Sequence, residues 1–558
     1  MLSFSFCEVC IVLKFTSGQM DYFPIFAKIL LMRRTKLILS VLTCLLLFFS
    51  PLQKQFHIIH FSSLKGVEEE KPMPELTLAT YRDGSFQSGT EQHLKQQFGG
   101  REPLIRLYNQ YLWDCFGKTN ATQWQIAMGK DGWFYEPWFV EDYYHGGTYS
   151  QSCDSAQLVK QFEEEAFRIY QLQHVLESYG THLFVCLLPG KDLVYPEYLP
   201  ENKKCTKKKI ISSRDFYGPK FKELGINHVD VEQWFLQMKD TASFSLFPKT
   251  GTHWSNIASL YVADSVIRYM EELGGMNISN LKIGASYIDK TREPDDDLES
   301  LMNLIRPLDQ NYNRYADVVA DGDSTAVKPK IIVIGDSFFW NISQQLPMSE
   351  IFAAAPYWYY NSTVYYDDVH NSTKDIDVLK ELLSADFVIL SYCSLQLYDM
   401  SNDFSKNALV NICFDSIDHV QRRLGLENYI RSDKDWFAQE VDKANKRGCT
   451  VDEMLTSDAA YLIENNLRKY YPEMFDSVPQ RRSASFRKLL EPENIIEAYM
   501  ERIGRTDLVW KKSWRRWTAR LNKGEISVDS MLKLDLRRVV DRQIESEGWE
   551  KITKLAYR

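Results

Sequence analysis

Short apolar runs punctuate the middle of the chain: "HLFVCLL" at 182–188, "NHVDV" at 227–231, "KIIVI" at 330–334 and "DFVILS" at 386–391. Runs of this length, rich in β-branched residues and without strict alternation, predict strands buried on both faces. Longer stretches with a helical repeat lie between them. One is 155–178; another is 256–274, where Ile257, Leu260, Tyr261 and Ile267 fall near one stripe. Strands alternating with helices predict an α/β fold from about Phe98 to Leu426, a mostly parallel sheet flanked by helices. No internal repeat is evident. After about residue 427 the strand runs cease, and charged, helix-forming sequence continues to 558 as a C-terminal helical region. Within it Trp510, Trp514 and Trp517 share one helix face. That spacing predicts an inward-packing stripe, with a cationic aromatic docking face as the alternative.

Ahead of the α/β region the pattern is different. Residues 32–52 read "MRRTKLILSVLTCLLLFFSPL". Three basic residues precede an uncharged apolar run whose length falls between a signal core of roughly 7–15 residues and a spanning helix of roughly 20. No small-x-small cleavage site follows. The segment 32–55 is therefore expected to be an uncleaved signal anchor or transmembrane helix, basic side inward and the bulk of the chain outside, with a cleaved signal as runner-up. Met32 followed by two Arg resembles a natural start, so residues 1–31 are read as a possible mis-called extension. Residues 56–97, with "GVEEEKPMPE" at 66–75, read as a polar stem.

Composition changes this picture little. The chain has 558 residues, 44% hydrophobic and 25% charged, with mean hydropathy −0.34, an ordinary globular balance. A net charge of −9 argues against a general nucleic-acid binder, which needs a basic footprint. Aromatics make up 13%, which fills a core and also suits a sugar-handling surface. Seven of the ten Cys lie beyond the apolar run, an odd number. Cys186 and Cys393 sit in strand-like runs and read as buried thiols. Cys115, Cys153 and Cys205 are the disulfide candidates in an oxidising compartment. "CEVC" at 7–10 has no partner pair and is weak evidence for metal. No P-loop or clustered His/Cys set points to a nucleotide or a metal, so no cofactor is expected.

The candidate chemistry lies in two short stretches. In "IIVIGDSFFW" at 331–340 a buried strand runs into Gly335, which permits a tight turn, and then Ser337. Ligands of α/β sheets bind at such carboxyl ends. If "FFWNISQQL" is helical, Ser337 opens the helix and its backbone N–H is a candidate oxyanion donor. An ordinary helix-capping serine is the competing reading. In "FPKTGTHWSNIASL" at 247–260, His253 stands just ahead of the second predicted helix, where an imidazole can take a proton from a serine hydroxyl and return it. Asp336, next to Ser337, is read as tying down the loop. Asn341 begins a sequon with Ser343, four residues past the candidate nucleophile, and is read as incidental.

Five motifs in order resemble the SGNH-type O-acetyltransferases of alginate biosynthesis, the AlgX/AlgJ-like proteins. They are "FGGREPLIRLYNQ" at 98–110, "MGKDGWFYEPWF" at 128–139, "LLPGKDLVYPEYLPE" at 187–201, "GTHWS" at 251–255 and "IGDSF" at 334–338. The likeness covers about 98–400, and His253 precedes Ser337 as in the permuted alginate group. It implies an SGNH hydrolase-like catalytic domain over 98–426, with Ser337 as nucleophile and His253 as base. In the family an acid stands two residues before the His; here that position is Gly251. The triad acid is thus left unknown, with Asp230 and Asp240 as weak candidates, a slower Ser–His dyad as a second reading and a degraded site as a third. The resemblance implies acetyl transfer to an exported polysaccharide, facing the periplasm or extracytoplasmic space. It also implies a multi-spanning acyltransferase that supplies acetyl groups across the membrane. An esterase with the same residues and an impaired scaffold of an export complex are the rival expectations.

Overall fold

The computed structural model describes residues 23–558 except 67–71, 121–125, 146–154, 202–212, 309–311, 367–368, 415 and 505–506. The chain divides into two compact units: residues 1–120 with 300–307, and residues 121–299 with 308–558.

In the first unit, helix α1 (Phe23–Phe56) runs unbroken through the segment expected to anchor the chain, with Pro51 inside it. Leu37, Ile38, Leu39, Val41 and Phe48 on it are exposed. Among the described residues, no helix is long and apolar enough to cross a membrane. The expected polar stem contains two helices, Leu78–Arg82 and Ser85–Gln96. The helix Arg101–Phe116 holds the 300–307 segment through amides: Asn109 Nδ2 donates to the Met302 carbonyl at 2.7 Å, and Gln110 Oε1 accepts from the Ile305 and Arg306 N–H groups.

The second unit is built on a seven-stranded sheet. Its strands in chain order are β1 (His182–Leu188), β2 (His228–Asp230), β3 (Ile331–Gly335), β4 (Tyr357–Tyr359), β5 (Thr363–Tyr366), β6 (Val369–Ser372) and β7 (Phe387–Cys393). The spatial order is β6-β5-β4-β3-β7-β1-β2. The five strands β4, β3, β7, β1 and β2 are parallel, and β5 and β6 extend the β4 side as an antiparallel pair. The sheet is thus mixed, with a mostly parallel centre.

Strand alternation divides the core in two. Leu183, Val185, Leu187, Ile332, Ile334, Val388 and Leu390 face α2 (Ser155–Glu177) and the helix Phe404–Cys413. Phe184, Cys186, Leu188, Ile331, Val333 and Ile389 face α3 (Asn256–Gly274), together with Trp254 and Phe338. Both faces are covered, which explains why these strands read as continuous apolar runs. Ile463, Tyr471, Met474 and Phe486 of the C-terminal helices join the first of these cores. Lys554 near the chain end bonds the Gly180 carbonyl and pairs with Asp386 at 3.2 Å. The Arg520 and Arg538 guanidinium groups both lie over the Trp517 ring, and Trp514 is exposed; the side chain of Trp510 is outside the described residues.

Between α3 and β3 the chain makes an excursion absent from the simple strand–helix pattern. Two antiparallel pairs, Asn280–Ile283 with Val318–Asp321 and Tyr287–Lys290 with Tyr312–Tyr315, carry the segment "EPDDDLES" at 293–300.

Of the thiols, Cys186 and Cys393 are buried and free, as their strand positions predict. Cys115 is a free, exposed thiol, which corrects its reading as a disulfide candidate. Cys153, Cys205 and "CEVC" lie outside the described residues.

Candidate active site

The nucleophile candidate sits where β3 ends. A side chain at Gly335 is impossible, because a Cβ there would lie 2.2 Å from the Ser391 carbonyl of β7. The close approach of the two strand ends lets Asp336 bridge them. Its Oδ2 accepts the Cys393 N–H at 2.6 Å and its Oδ1 accepts the Phe338 N–H at 3.1 Å. The Tyr357 hydroxyl donates to the Asp336 carbonyl. Burial raises the Asp336 carboxyl above its ordinary value, against the pull of these donors. Asp336 therefore locks the turn, with both carboxylate oxygens engaged by backbone N–H groups. Ser337 follows at the start of α4 (Phe338–Ser343), with φ −59° and ψ −15°. Its own N–H, at a helix start, has no intrahelical acceptor. The Asn341 side chain on α4 is buried, which fits an incidental sequon.

The base candidate sits on a loop held from three directions. Ser255 caps α3, and its hydroxyl and N–H bond the Ser245 and Leu246 carbonyls. Trp254 is buried against Phe338. Lys191, fully buried, donates to the Phe134, Lys249 and Gly251 carbonyls at 2.7, 2.9 and 2.7 Å. Burial pushes the Lys191 ammonium well below the usual lysine value, offset in part by the Asp297 charge. This explains the lysine in "LLPGKDL": it ties the 249–253 loop to the strand Phe134–Tyr135.

Held this way, His253 Nε2 is 2.8 Å from Ser337 Oγ, across 84 positions of sequence. Its Nδ1 is 2.6 Å from Asp297 Oδ2. The second carboxylate oxygen, Oδ1, accepts the Thr252 N–H at 2.8 Å and the Leu298 N–H at 2.6 Å. The imidazole keeps 16% of its side-chain surface open and Asp297 25%, and Ser337 is half-buried, so the hydroxyl is not sealed beneath the aromatic rings that follow it. Burial opposes the imidazolium, but the Asp297 hydrogen bond and charge, with Glu136 and Asp336 nearby, outweigh it and leave His253 above its ordinary value.

Neither sequence candidate for the acid is at this point. Asp230 caps the helix Val231–Met238, accepting the Gln233 N–H at 2.9 Å, and Asp240 is exposed in the turn beyond that helix. The acid comes instead from the 275–330 excursion, 44 residues after the histidine. The same excursion excludes an acid at position 251. A Cβ there would lie 2.5 Å from the Asp295 carbonyl and 2.7 Å from Pro248 Cγ. Gly251 is small because the loop bearing Asp297 passes directly against it. Asp295 secures that loop by accepting the Asn256 N–H at 2.9 Å and the Asn313 amide at 3.1 Å, and burial pushes its carboxyl up to about 7.

Glu136, after "GWFY", is the other acidic group that sequence reasoning passed over. Its charge acts on His253; burial, the largest effect, raises its carboxyl. A local signal for Asp297 did exist: a proline followed by three aspartates and a leucine reads as an acidic helix start.

Residues 126–347 match the family described as SGNH hydrolase-like domain, acetyltransferase AlgX. Among solved structures the chain is similar to the O-acetyltransferase domain of Pseudomonas putida AlgJ. That likeness has 16% identity and TM-score 0.33, covering 50% of this chain and 95% of that one. It is also similar to Pseudomonas aeruginosa AlgX, at 13% identity and TM-score 0.32, covering 50% and 66%. A third is Bacillus cereus PatB1, at 11% identity and TM-score 0.32, covering 49% and 97%. No curated protein matches the sequence.

Proposed function

We propose that this chain, whose residues 126–347 match the family described as SGNH hydrolase-like domain, acetyltransferase AlgX, transfers acetyl groups to hydroxyls of an exported polysaccharide through an acyl-enzyme on Ser337. The observation that carries the reading is the unbroken relay from Ser337 Oγ through His253 to Asp297, at 2.8 and 2.6 Å. Such a relay is recognised by geometry, whatever the chain order.

In the first half-reaction Ser337 Oγ bonds to the acetyl carbonyl carbon, and His253 Nε2 takes the hydroxyl proton and delivers it to the leaving group. Asp297 accepts the Nδ1–H throughout, which fixes the tautomer and stabilises the imidazolium. The Ser337 N–H supplies one donor to the developing oxyanion. In the second half, an acceptor hydroxyl gives its proton to His253 as its oxygen takes the acetyl group, and Ser337 Oγ is reprotonated.

We place this chemistry outside a membrane, with the chain held by the Leu37–Leu52 apolar run and supplied with acetyl groups by a multi-spanning acyltransferase. The exposed leucines, Ile38, Val41 and Phe48 of α1 support a lipid-facing role for that helix. The reading of the chain as an impaired scaffold rested on the missing acid at 251, and Asp297 removes that ground.

The test is intact-mass analysis of the full chain, in detergent, after exposure to an aryl acetate. One acetyl group on Ser337, absent in Ser337→Ala and in His253→Ala, is the expected result. Acetylation elsewhere, or none, overturns the mechanism. Acetyl transfer to a glycan, measured against release of free acetate, separates a transferase from an esterase.

A further inference from the structure

The antiparallel extension of the sheet carries the chain's densest aromatic sequence, "YWYYNSTVYY" at 357–366. The parallel centre does not require it. Register decides which rings share a face. Tyr357 pairs with Tyr365, and Tyr365 with His370. With a side-chain period of two, Tyr357, Tyr359, Tyr365 and His370 therefore stand on one face, while Trp358 points into the opposite core. The six-residue α4 lies against this face and contributes Trp340.

The rings form one contiguous cluster packed edge to face, Trp340 standing at 90° to Tyr357 and 83° to Tyr365, and Tyr359 at 67° to Tyr365. Trp340 meets Tyr357, Tyr359 and Tyr365 at centroid distances of 4.8, 6.1 and 4.9 Å, and Tyr365 meets His370 at 5.8 Å. Tyr357 is buried and acts as the footing. Trp340, Tyr359 and Tyr365 are half-buried, and His370 is exposed. The half-buried rings carry hydroxyl and indole donors. The surface also begins at the nucleophile: Trp340 is three residues past Ser337 on the same short helix, and the Tyr359 hydroxyl lies within electrostatic reach of Asp336 and Glu136.

We infer that the half-exposed rings of Trp340, Tyr359 and Tyr365 are the acceptor subsite, a shelf on which a pyranose ring of the glycan stacks with its hydroxyl presented to the acyl-serine. This rests on the acyl-transfer reading above and assigns it a saccharide-binding surface. An aromatic face receives the C–H face of a sugar without regard to charge, so the same chemistry serves a neutral glycan and an acidic one.

The test is saturation-transfer NMR of the full chain in detergent with two probes, a neutral β-1,4-linked hexasaccharide and an oligouronate of equal length. Binding of at least one is expected, weakened about tenfold by Tyr365→Ala and by Tyr359→Ala and largely restored by Tyr365→Phe. The ratio of acetyl transfer to hydrolysis should fall by a similar factor. That ratio is taken within molecules that have already acylated, so a partly unfolded variant does not mimic the effect. Binding of neither probe, or equal binding by the alanine variants, overturns the shelf whether or not Ser337 acylates. Failure of acylation with normal probe binding overturns the mechanism and leaves the shelf standing.

Discussion

Replacing Asp297 by Asn is the most informative single change, because the structure dictates which way the new amide must face. Asp297 Oδ1 accepts two backbone N–H groups, from Thr252 at 2.8 Å and Leu298 at 2.6 Å, and neither can accept a hydrogen bond in return. The amide oxygen must therefore stay there, and the NH₂ must point at His253 Nδ1, where the carboxylate now lies at 2.6 Å. A donor in that place forces Nδ1 to be the acceptor and puts the imidazole proton on Nε2, the atom 2.8 Å from Ser337 Oγ. A base already protonated cannot take the serine proton. The corresponding change in a serine protease lowers kcat by about 10⁴ through the same tautomer. At 1.36 kcal/mol per decade this is about 5.4 kcal/mol of transition-state stabilisation. Asn is nearly isosteric and keeps both N–H bonds, so the fold should be retained. The assay is kcat for an aryl acetate with wild type and variant at equal folded fraction, monitored by near-ultraviolet circular dichroism. A loss of less than tenfold would refute the relay, since it would mean that the carboxylate does not set the tautomer.

Three further outcomes follow from the same geometry. His253 lies above its ordinary value and must be neutral to act, so activity should rise with pH to a midpoint above about 6.5, and Asp297→Asn should move that limb to lower pH; a limb unmoved by the substitution would contradict the pairing. Gly251→Asp should slow the enzyme and lower its stability by about 1–3 kcal/mol, because its Cβ meets the Asp295 carbonyl at 2.5 Å; a rate gain, or rescue of Asp297→Asn, would show that the acid belongs at 251. Lys191→Met should lower the thermal midpoint sharply, because it strips the buried Phe134 and Gly251 carbonyls of their donor at about 1–3 kcal/mol each; an unchanged midpoint would contradict its role as the loop's tie.

The order of the strands along the chain and the candidate pair Ser337 and His253 were legible from residue pattern; Gly335 was legible as a special position, though the strand approach at Ser391 and not a turn requires it. Each is a local matter. A strand buried on both faces must be apolar at every position, as 331–334 and 387–390 are, and a serine at its carboxyl end before a helix can only occupy the mouth of the sheet. The glycine at 251 was also visible, but its cause was not. Set against the family pattern it marks a missing acid; in three dimensions it is the clearance that lets residues 293–297 lie against the histidine loop.

What the tertiary structure decided was everything that depends on chain segments meeting. Asp297 enters from an excursion with weak strand patterning of its own, and no spacing rule connects it to His253. Asp230 sits closer in sequence, yet its carboxylate is used in capping a helix. The role of Lys191 was likewise invisible, since a lysine in sequence predicts solvent, and only three converging carbonyls make burial tolerable. The aromatic face on β4–β6 depends on register, where a shift of one residue would turn Tyr359 and Tyr365 into the opposite core. Periodicity reports the environment on either side of one segment; which segments share a site is set by how the sheet edge and its insertion close on each other.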